Sequence, residues 1–326
     1  MLTARASRPQ PIQAAKSQSA TVHDYLRIAR IDHWFKNVFM LPGIALALLF
    51  RPVPAADVLL PTLLGILSTC LVASANYVIN EWLDREFDRH HPVKHQRPSV
   101  SSALRPVWVY LEYFLLALLG LGLAYLVSRQ FLAFSIALLI MGVLYNVRPF
   151  RTKDRPYLDV LSESVNNPLR LLLGWSIFMH DSLPPSSIVL AYWMGGAFLM
   201  GVKRYSEYRF IQDRKRAGLY RKSFQFYTEQ SLLLSAFFYA ILSSFFLAVF
   251  LIKYRIEFVL SFPAFALLFV WYLAIGMRPE SAAKDPEKIY REPRFVCFVG
   301  LLCVLVTVLF FVDIPFLNIL TNRIEY

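Results

Sequence analysis

The chain has 326 residues, of which 57% are hydrophobic and 15% aromatic, and its mean hydropathy is +0.47. This composition is too apolar for a soluble domain of that length and is typical of a polytopic membrane protein. The net charge of +12 does not require a nucleic-acid partner, because cationic loops at a membrane surface favour anionic headgroups and anionic soluble substrates.

The N-terminal part of the chain is polar. Residues 1–22 contain Ser, Gln, Pro and Ala with scattered Arg and Lys but no apolar run, which predicts a disordered tail and not a signal peptide. We expect residues 23–326 to form a single transmembrane domain. At its start, residues 27–37 place aromatic side chains among basic ones, which predicts an interfacial helix whose Arg30 and Lys36 reach polar groups.

Nine apolar segments are near the length that a bilayer requires, although the first and fourth are short. They predict an all-α fold with about nine transmembrane helices. The segments are residues 36–50, 58–80, 107–127, 130–145, 158–179, 187–205, 231–252, 257–276 and 295–315.

Basic residues divide unequally between the two sides of these spans. With the N-terminus inside, 28 of the 34 Lys and Arg residues lie on that side and 5 on the other, while Arg170 falls inside a span. The positive-inside rule therefore predicts a cytoplasmic N-terminus and cytoplasmic functional loops. An odd number of spans then places the C-terminus outside. We expect an integral protein of a plasma membrane, such as the bacterial inner membrane.

Two carboxylates stand four residues apart at the end of the second predicted span. In a continuous helix Asp84 and Asp88 lie on one face, with Cβ atoms about 6 Å apart and Asn80 one turn earlier. Magnesium commonly takes one or two protein carboxylates and completes its shell with water and substrate phosphate. Since basic residues follow directly, the stretch predicts a magnesium-bound phosphate site. The other interpretation is a solvated helix end held by intrahelical ion pairs.

The connection of residues 145–159 contains two prolines and four cations, most of which the positive-inside bias explains. Its continuation into the fifth predicted span carries polar residues at three- and four-residue spacing. Polar side chains inside a membrane helix are costly unless they line a cavity. We therefore expect a functional cavity here, with Pro168 loosening the backbone. The polar residues are Glu163, Asn166, Asn167 and Arg170.

A basic segment leaves the sixth predicted span. Lys203 and Glu207 are one helical turn apart and form an ion pair in the structural interpretation. In the functional interpretation Lys203, Arg204 and the basic residues at 214–222 cradle phosphate, because Arg offers bidentate geometry and Lys a point charge. Residues 284–294, before the ninth span, have by their chemistry alone the character of a plain loop.

Together these segments resemble the UbiA superfamily of intramembrane prenyltransferases. The run Asn80-Glu81-x-x-Asp84-x-x-x-Asp88 is similar to the first aspartate-rich motif of that superfamily, with Glu81 where Asp is more usual. The resemblance extends over nearly the whole chain from about Arg27. It implies nine transmembrane helices around a central cavity capped by cytoplasmic loops. It also implies a magnesium site with Asn80, Glu81, Asp84 and Asp88 as the metal ligands.

Three segments look more like the decaprenyl-phosphate phosphoribosyltransferase branch than like the aromatic prenyltransferases of quinone pathways. Lys203-Arg204-Tyr205-x-Glu207 stands where users of prenyl diphosphate usually carry a second aspartate motif, and no second Asp-x-x-x-Asp pair lies between Lys203 and Gln230. The segment at residues 286–288 is also similar to a late-loop pattern of this branch. The other two segments are Arg30-x-x-x-Trp34-x-Lys36-Asn37 and Asp88-x-x-x-Pro92-x-Lys94-x-x-Arg97-Pro98.

This resemblance implies transfer of a phosphoribosyl group from phosphoribosyl diphosphate to a polyprenyl phosphate. Magnesium would bind the diphosphate and stabilise its departure, so Asp84, Asp88 and Asn80 are the catalytic candidates. The lipid phosphate is already an anion and needs little or no general base. The residues expected to bind substrate phosphates are Lys36, Lys94, Arg97, Tyr145, Arg170, Lys203, Arg204 and Glu207.

Two other functions compete with this one. In prenyl transfer the same acidic row binds a prenyl diphosphate, and an aromatic or lipid acceptor attacks the allylic cation; the missing second acidic pair argues against it. A transporter or lipid-binding protein would use the intramembrane polar residues as a path. Such proteins often have inverted repeats with broken helices in matching positions, and the sequence shows no such symmetry.

Overall fold

The computed structural model describes residues 18–278, 281–284 and 286–320. Two short strands, β1 (Gln18–Ser19) and β2 (Ser102–Ala103), pair in parallel. The remaining secondary structure in these ranges is helical, and 3-10 helices connect many of the α-helices. The α-helices are α1 (Val22–Ile28), α2 (Leu41–Phe50), α3 (Ala55–Asp88), α4 (Pro98–Ser101), α5 (Pro106–Val127), α6 (Arg129–Asn146), α7 (Leu158–Ser164), α8 (Asn166–Ser176), α9 (Ser186–Ile211), α10 (Arg214–Tyr220), α11 (Glu229–Tyr254), α12 (Phe262–Gly276) and α13 (Pro293–Phe311).

The ends of the chain lie largely outside these ranges. Of the predicted tail, residues 1–17 are outside the described residues, and the strand Gln18–Ser19 falls within the remainder. Residues 321–326, which carry the predicted outer C-terminus, are also outside them. The 3-10 helices are Ile31–Met40, Lys94–Gln96, Thr152–Asp154, Lys222–Gln225, Ile256–Ser261, Ala282–Lys284, Pro286–Arg291 and Pro315–Leu320.

Eight helical stretches in the described ranges are long and apolar enough to cross a membrane, and each overlaps one of the predicted spans. The first runs through α1, a 3-10 helix and α2, so it begins earlier than predicted. Their outer faces expose large apolar side chains such as Leu118, Phe245 and Phe311. Lipid chains suit these side chains better than water does. The all-α, polytopic architecture predicted from the sequence is confirmed. The stretches are Val22–Phe50, Ala55–Asp88, Pro106–Val127, Arg129–Asn146, Ser186–Ile211, Glu229–Tyr254, Ile256–Gly276 and Pro293–Phe311.

The fifth predicted span, residues 158–179, is a broken helix. It consists of α7 and α8, which meet at Val165. Pro168 has no N–H and cannot donate to the carbonyl of Ser164, so a continuous helix would lose a hydrogen bond there. Near the start of a new helix the same proline is tolerated, because the first N–H groups have no intrahelical partner. With this broken pair, the structure agrees with about nine spans.

Helix α3 is much longer than the membrane requires. Its 34 residues extend over about 51 Å, whereas the hydrocarbon core of a bilayer is about 30 Å thick. The last turns of α3, which carry the acidic motif, therefore project beyond the apolar layer. This length is what places both carboxylates among the polar loops.

Tight helix pairs form the inside of the bundle. Helix α3 packs on α5 and α6, and α9 packs on α11. Helices α2 and α8 approach so closely that a methyl group on Gly43 would lie 2.1 Å from the Leu171 carbonyl oxygen. A methyl group on Gly174 would lie equally close, 2.1 Å, to the Met40 carbonyl oxygen. Small residues allow such backbone contact between membrane helices.

Candidate active site

The acidic motif lies at the end of α3, beside a narrow cleft that both aspartates line. Asp84 Oδ1 accepts a hydrogen bond from Arg151 Nη2 at 2.9 Å and lies 2.6 Å from Lys153 Nζ. Asp88 Oδ2 accepts from Arg97 Nη1 at 2.7 Å. Each carboxylate therefore has cations on one oxygen. Among the described residues, the other oxygen of each has no hydrogen-bond donor.

The loop between α6 and α7 supplies two of these cations. Arg151 donates to the carbonyl oxygen of Asn146 at 2.9 Å and to Asp154 at 3.2 Å, which fixes its guanidinium from behind. Lys153 Nζ also donates to Asn146 Oδ1 at 2.6 Å. Burial lowers the pKa of Lys153 to about 8, although the nearby charge of Asp84 opposes this shift. Both cations are thus held in place by protein contacts.

Asn80 and Glu81, which precede the aspartates, have different surroundings. Asn80 Nδ2 donates to Asn146 Oδ1 at 2.5 Å, the oxygen that also accepts from Lys153. Glu81 is 2% exposed and lies 3.9 Å from Arg30, and its Oε1 has no hydrogen bond to the described residues. In the same ranges, no three His, Cys, Asp or Glu side chains are grouped closely enough to hold a metal ion. Glu81 is therefore not grouped with the two aspartates as a third acidic ligand.

The opposite wall of the site is built around Arg204, which is 1% exposed. Its guanidinium pairs with Glu163 and lies 3.5 Å from the carboxylates of Asp159 and Glu207. It also donates to Tyr145 Oη at 3.1 Å, and Tyr145 in turn donates to Glu163 at 2.6 Å. Since three acids already surround it, the structure does not present Arg204 to substrate phosphate as we expected from the sequence. Arg204 and Tyr145 hold the wall together instead.

Glu207 connects α9 to the loop that follows α3. It accepts from Lys94 Nζ at 2.8 Å and from Tyr220 Oη at 3.0 Å, and His91 Nε2 lies 3.5 Å away. His91 Nδ1 accepts the N–H groups of Val93 and Lys94 at 3.1 Å each. Burial lowers the pKa of His91, although its bond to Glu207 opposes the shift. The expected phosphate-binding residues Lys94 and Glu207 are therefore paired with each other, and His91 shapes the loop.

On this wall, Lys203 is the cation that forms no ion pair with a carboxylate of the described residues. Its partly exposed side chain has no hydrogen bond or ion pair to the residues that the structure describes. It interacts electrostatically with Lys36, Lys94 and Glu163. Lys36 belongs to the 3-10 helix before α2, and its Nζ lies 2.8 Å from His33 Nδ1. Of the predicted phosphate-binding residues, Lys203 has the ammonium best placed to meet an anion.

Arg170 does not lie beside the acidic motif. It is 8% exposed and donates to Asn37 Oδ1 at 2.9 Å and to the carbonyl oxygen of Asn166 at 3.2 Å. Asn37 also donates to Cys70 Sγ at 3.1 Å. Cys70 precedes Asp84 by 14 residues of α3, the difference of the two numbers, or about 21 Å of helix. The structure therefore places Arg170 deep in the bundle, where it joins helices.

Several residues of the site were not selected from the sequence. Their charges lie in connections that the positive-inside bias already explained, so nothing in the sequence distinguished them from ordinary loop cations. Within the loop of residues 145–159, Arg151 and Lys153 face the acidic motif, whereas Arg148 and Arg155 are exposed at the surface. The cations missed are Arg151 and Lys153, and Asp159, an acid at the end of the same connection, was missed with them. Glu163 and Arg221, which the sequence places in a polar stripe and a basic segment, also belong to the site.

Comparison with known proteins identifies the family to which this chain belongs. The model of a protein family, described as the UbiA prenyltransferase family, matches residues 38–299, which is most of the chain. The chain belongs to the UbiA prenyltransferase family. The UbiA-like arrangement predicted from the acidic motif is thereby confirmed, and the chain is an integral membrane protein.

Two curated relatives of this UbiA-family chain are similar over most of its length. The nodulation protein NoeC of Azorhizobium caulinodans is 29% identical over 210 residues, which cover 62% of this chain and 62% of the relative. The decaprenyl-phosphate phosphoribosyltransferase of Mycolicibacterium smegmatis is 30% identical over 220 residues, which cover 65% of this chain and 64% of the relative. The chain thus spans less than two thirds of the length of either relative.

A solved structure shares the fold of this UbiA-family chain. It is a UbiA homolog from Archaeoglobus fulgidus, bound to DMAPP and Mg²⁺, with a TM-score of 0.67 and 23% identity. The match covers 88% of this chain and 98% of the other. At this identity the likeness shows a common helical architecture.

Proposed function

We propose that the protein transfers a phosphoribosyl group from phosphoribosyl diphosphate to a polyprenyl phosphate and releases diphosphate. The similarity to the Mycolicibacterium enzyme supports this reaction, and the charge of the wall around Arg204 supports it most directly. On that wall the carboxylates of Asp159, Glu163 and Glu207 form ion pairs with Arg204. Glu207 also pairs with Lys94. The positive charge of Lys203 is not paired with any carboxylate of the described residues. A wall of this kind suits a second anion better than a second magnesium ion.

The donor diphosphate would bind at the end of α3. Magnesium fits this place, because Asp84 and Asp88 each keep one carboxylate oxygen without a hydrogen-bond donor in the described ranges. Two carboxylates are enough, since magnesium takes its other ligands from water and substrate phosphate. When bound, the ion would neutralise charge on the departing diphosphate. Asn80 and Glu81 would support the helix end, without a ligand role for Glu81.

Three cations beside the acidic motif would act on the same leaving group. Arg151, Lys153 and Arg97 pair with the two aspartates. Arg221 and Asp154 also line the cleft, so four cations in all face three carboxylates. Preorganised cations of this kind stabilise a transition state because they need not reorient while charge develops. Arg151 and Lys153 would neutralise the diphosphate as its bond to the anomeric carbon breaks.

The acceptor phosphate would bind on the Lys203 side. An oxygen of the lipid phosphate attacks the anomeric carbon of the ribose, the bond from that carbon to the diphosphate oxygen breaks, and diphosphate leaves. No proton has to be removed from the acceptor, because a phosphate monoester is largely ionised near neutral pH. This agrees with the surroundings of His91, which is occupied with loop hydrogen bonds. We place the cleft on the cytoplasmic side, based on the distribution of Lys and Arg.

The reaction is tested with purified full-length protein in detergent. With magnesium, a polyprenyl phosphate and radiolabelled phosphoribosyl diphosphate, we expect label in the organic phase that depends on the lipid. A parallel reaction contains a labelled prenyl diphosphate and an aromatic acceptor. If only the parallel reaction turns over, the protein is a prenyltransferase and the assignment of the donor is wrong. Uptake into liposomes without turnover of either donor would indicate a transporter.

We expect Lys203→Gln to weaken binding of the acceptor. The substitution removes a cation that no carboxylate of the described residues pairs with, so the fold should be little affected. The KM for polyprenyl phosphate should rise about 10- to 100-fold, which corresponds to about 1.4 to 2.7 kcal/mol. The KM for phosphoribosyl diphosphate should change less than threefold. Initial rates at varied lipid concentration measure this, and an unchanged lipid KM would exclude Lys203 from the acceptor site.

A further inference from the structure

A second pocket lies outside the cleft, on the surface of the loop that joins α6 to α7. This outer pocket has a volume of about 480 Å³ and is open to the surroundings. It shares Arg151 and Asp154 with the cleft, so the two spaces are neighbours. The outer pocket is lined by Arg148, Pro149, Phe150, Arg151, Asp154 and Arg155.

The outer pocket is strongly cationic. Arg148 and Arg155 are exposed, and in the described part of the chain their side chains have no carboxylate partner. Arg151 lies at its base and is 7% exposed. Asp154 is the acidic residue among those that line the pocket. It already forms ion pairs with Arg151 at 3.2 Å and with Lys222 at 3.8 Å. Guanidinium groups that converge on one space offer the planar, bidentate donors that phosphate accepts.

The outer pocket lies at the end of a candidate membrane span. It directly follows α6, which ends at Asn146, and precedes α7, which begins at Leu158. Phe150 and Tyr157 are 57% and 46% exposed, although they lie outside the predicted spans. Aromatic side chains at this level are typical of the layer where lipid headgroups meet acyl chains. The cationic lining and the exposed rings therefore suit a ligand with a phosphate and an apolar part.

Protein contacts hold the loop in this shape. Arg151 and Tyr157 have φ values of 27° and 64°, a region that residues other than glycine rarely adopt. The Tyr157 N–H donates to Tyr227 Oη at 2.5 Å, and Tyr227 donates to Asp159 at 2.7 Å. Contacts with the surrounding structure thus maintain a backbone conformation that the isolated loop would not favour.

We propose that the outer pocket binds the phosphate group of a lipid at the membrane surface. Arg148 and Arg155 contact the phosphate, Phe150 and Tyr157 lie along the first part of the acyl or prenyl chain, and Arg151 connects the site to Asp84. The site would hold phosphate-bearing lipids beside the cleft. The proposal does not depend on the identity of the donor, since it requires only that the loop lies at the membrane surface.

Native mass spectrometry of the full chain in detergent tests this site. The probe is phosphatidic acid, which has the phosphate monoester of a polyprenyl phosphate but is not a substrate of the proposed reaction. We expect Arg148→Gln/Arg155→Gln to raise the Kd for phosphatidic acid about tenfold. The matched control is Arg129→Gln/Lys253→Gln, which removes two exposed cations elsewhere. The control should bind as the unaltered chain does.

Three results would overturn the proposal. One is equal loss of phosphatidic acid from both double variants, since the retention is then a general effect of charge. Another is full displacement of the lipid by inorganic pyrophosphate at the same concentration, which would assign the pocket to soluble anions. The third is unchanged binding by Arg148→Gln/Arg155→Gln. A thermal unfolding curve of each variant in the same detergent shows whether a loss of binding comes from misfolding.

Discussion

Asp84→Asn is expected to lower kcat/KM for phosphoribosyl transfer by at least about 100- to 1000-fold, the range found when a charge-stabilising group is removed from an active site. The amide keeps the shape of the carboxylate and removes its charge. In the structure this charge holds Arg151 and Lys153 on one oxygen, and the other oxygen is the one that would bind the proposed magnesium ion. Transfer of label to the organic phase measures the effect over a range of magnesium concentrations.

The matched control for this substitution is Asp57→Asn, at the other end of α3. Asp57 is exposed in the first turn of the same helix, so its variant should keep activity within about twofold of the unaltered chain. A thermal shift on addition of magnesium and phosphoribosyl diphosphate gives a second measurement that does not need turnover. Substantial activity of Asp84→Asn, with an unchanged thermal shift, would remove Asp84 from the proposed metal site.

Arg204→Leu is expected to lower the free energy of unfolding by about 3 to 5 kcal/mol, because removing one partner of a buried ion pair leaves uncompensated charge. Here the cost falls on Glu163 above all, with Asp159 and Glu207 also affected. Unfolding of the purified protein in mild detergent by increasing fractions of a denaturing detergent measures the loss. Arg204→Lys should recover part of the stability, since it restores the charge without the planar geometry.

Arg209→Leu is the control for this second substitution. Arg209 follows on the same helix and pairs with Glu229 at 3.2 Å, but the two side chains are 38% and 55% exposed. An exposed pair of this kind contributes about 0 to 1 kcal/mol. If Arg204→Leu unfolds like Arg209→Leu but loses activity, Arg204 contacts substrate, and its description as a structural centre is wrong.

The sequence was sufficient to predict the architecture and one half of the site. Apolar length identifies membrane spans reliably, because each backbone polar group in lipid must be satisfied within its helix. The i, i+4 spacing of Asp84 and Asp88 fixes their common face for the same geometric reason. That these two residues line the same cleft can therefore be predicted from helix geometry within one segment.

The other half of the site depends on which helices meet, and spacing within one segment does not contain that information. Glu163 and Arg170 share a polar stripe in the sequence, yet Glu163 reaches the wall of the cleft and Arg170 bonds to Asn37 far below it. The break at Val165 separates the two helices that carry them. Likewise, Arg204 looked like a phosphate ligand, since the sequence does not show that three acids from other turns would surround it.

The reciprocal contact of Gly43 and Gly174 has a mechanical consequence for entry of the lipid proposed as a substrate. Gly43 lies against the Leu171 carbonyl oxygen of α8, and Gly174 lies against the Met40 carbonyl oxygen directly before α2. A slide by one residue would therefore drive a side chain into the facing backbone. Helices α2 and α8 therefore cannot slide past each other without a steric clash. If the bundle widens to admit the proposed prenyl chain, we expect the movement to come from other helices while this pair stays fixed.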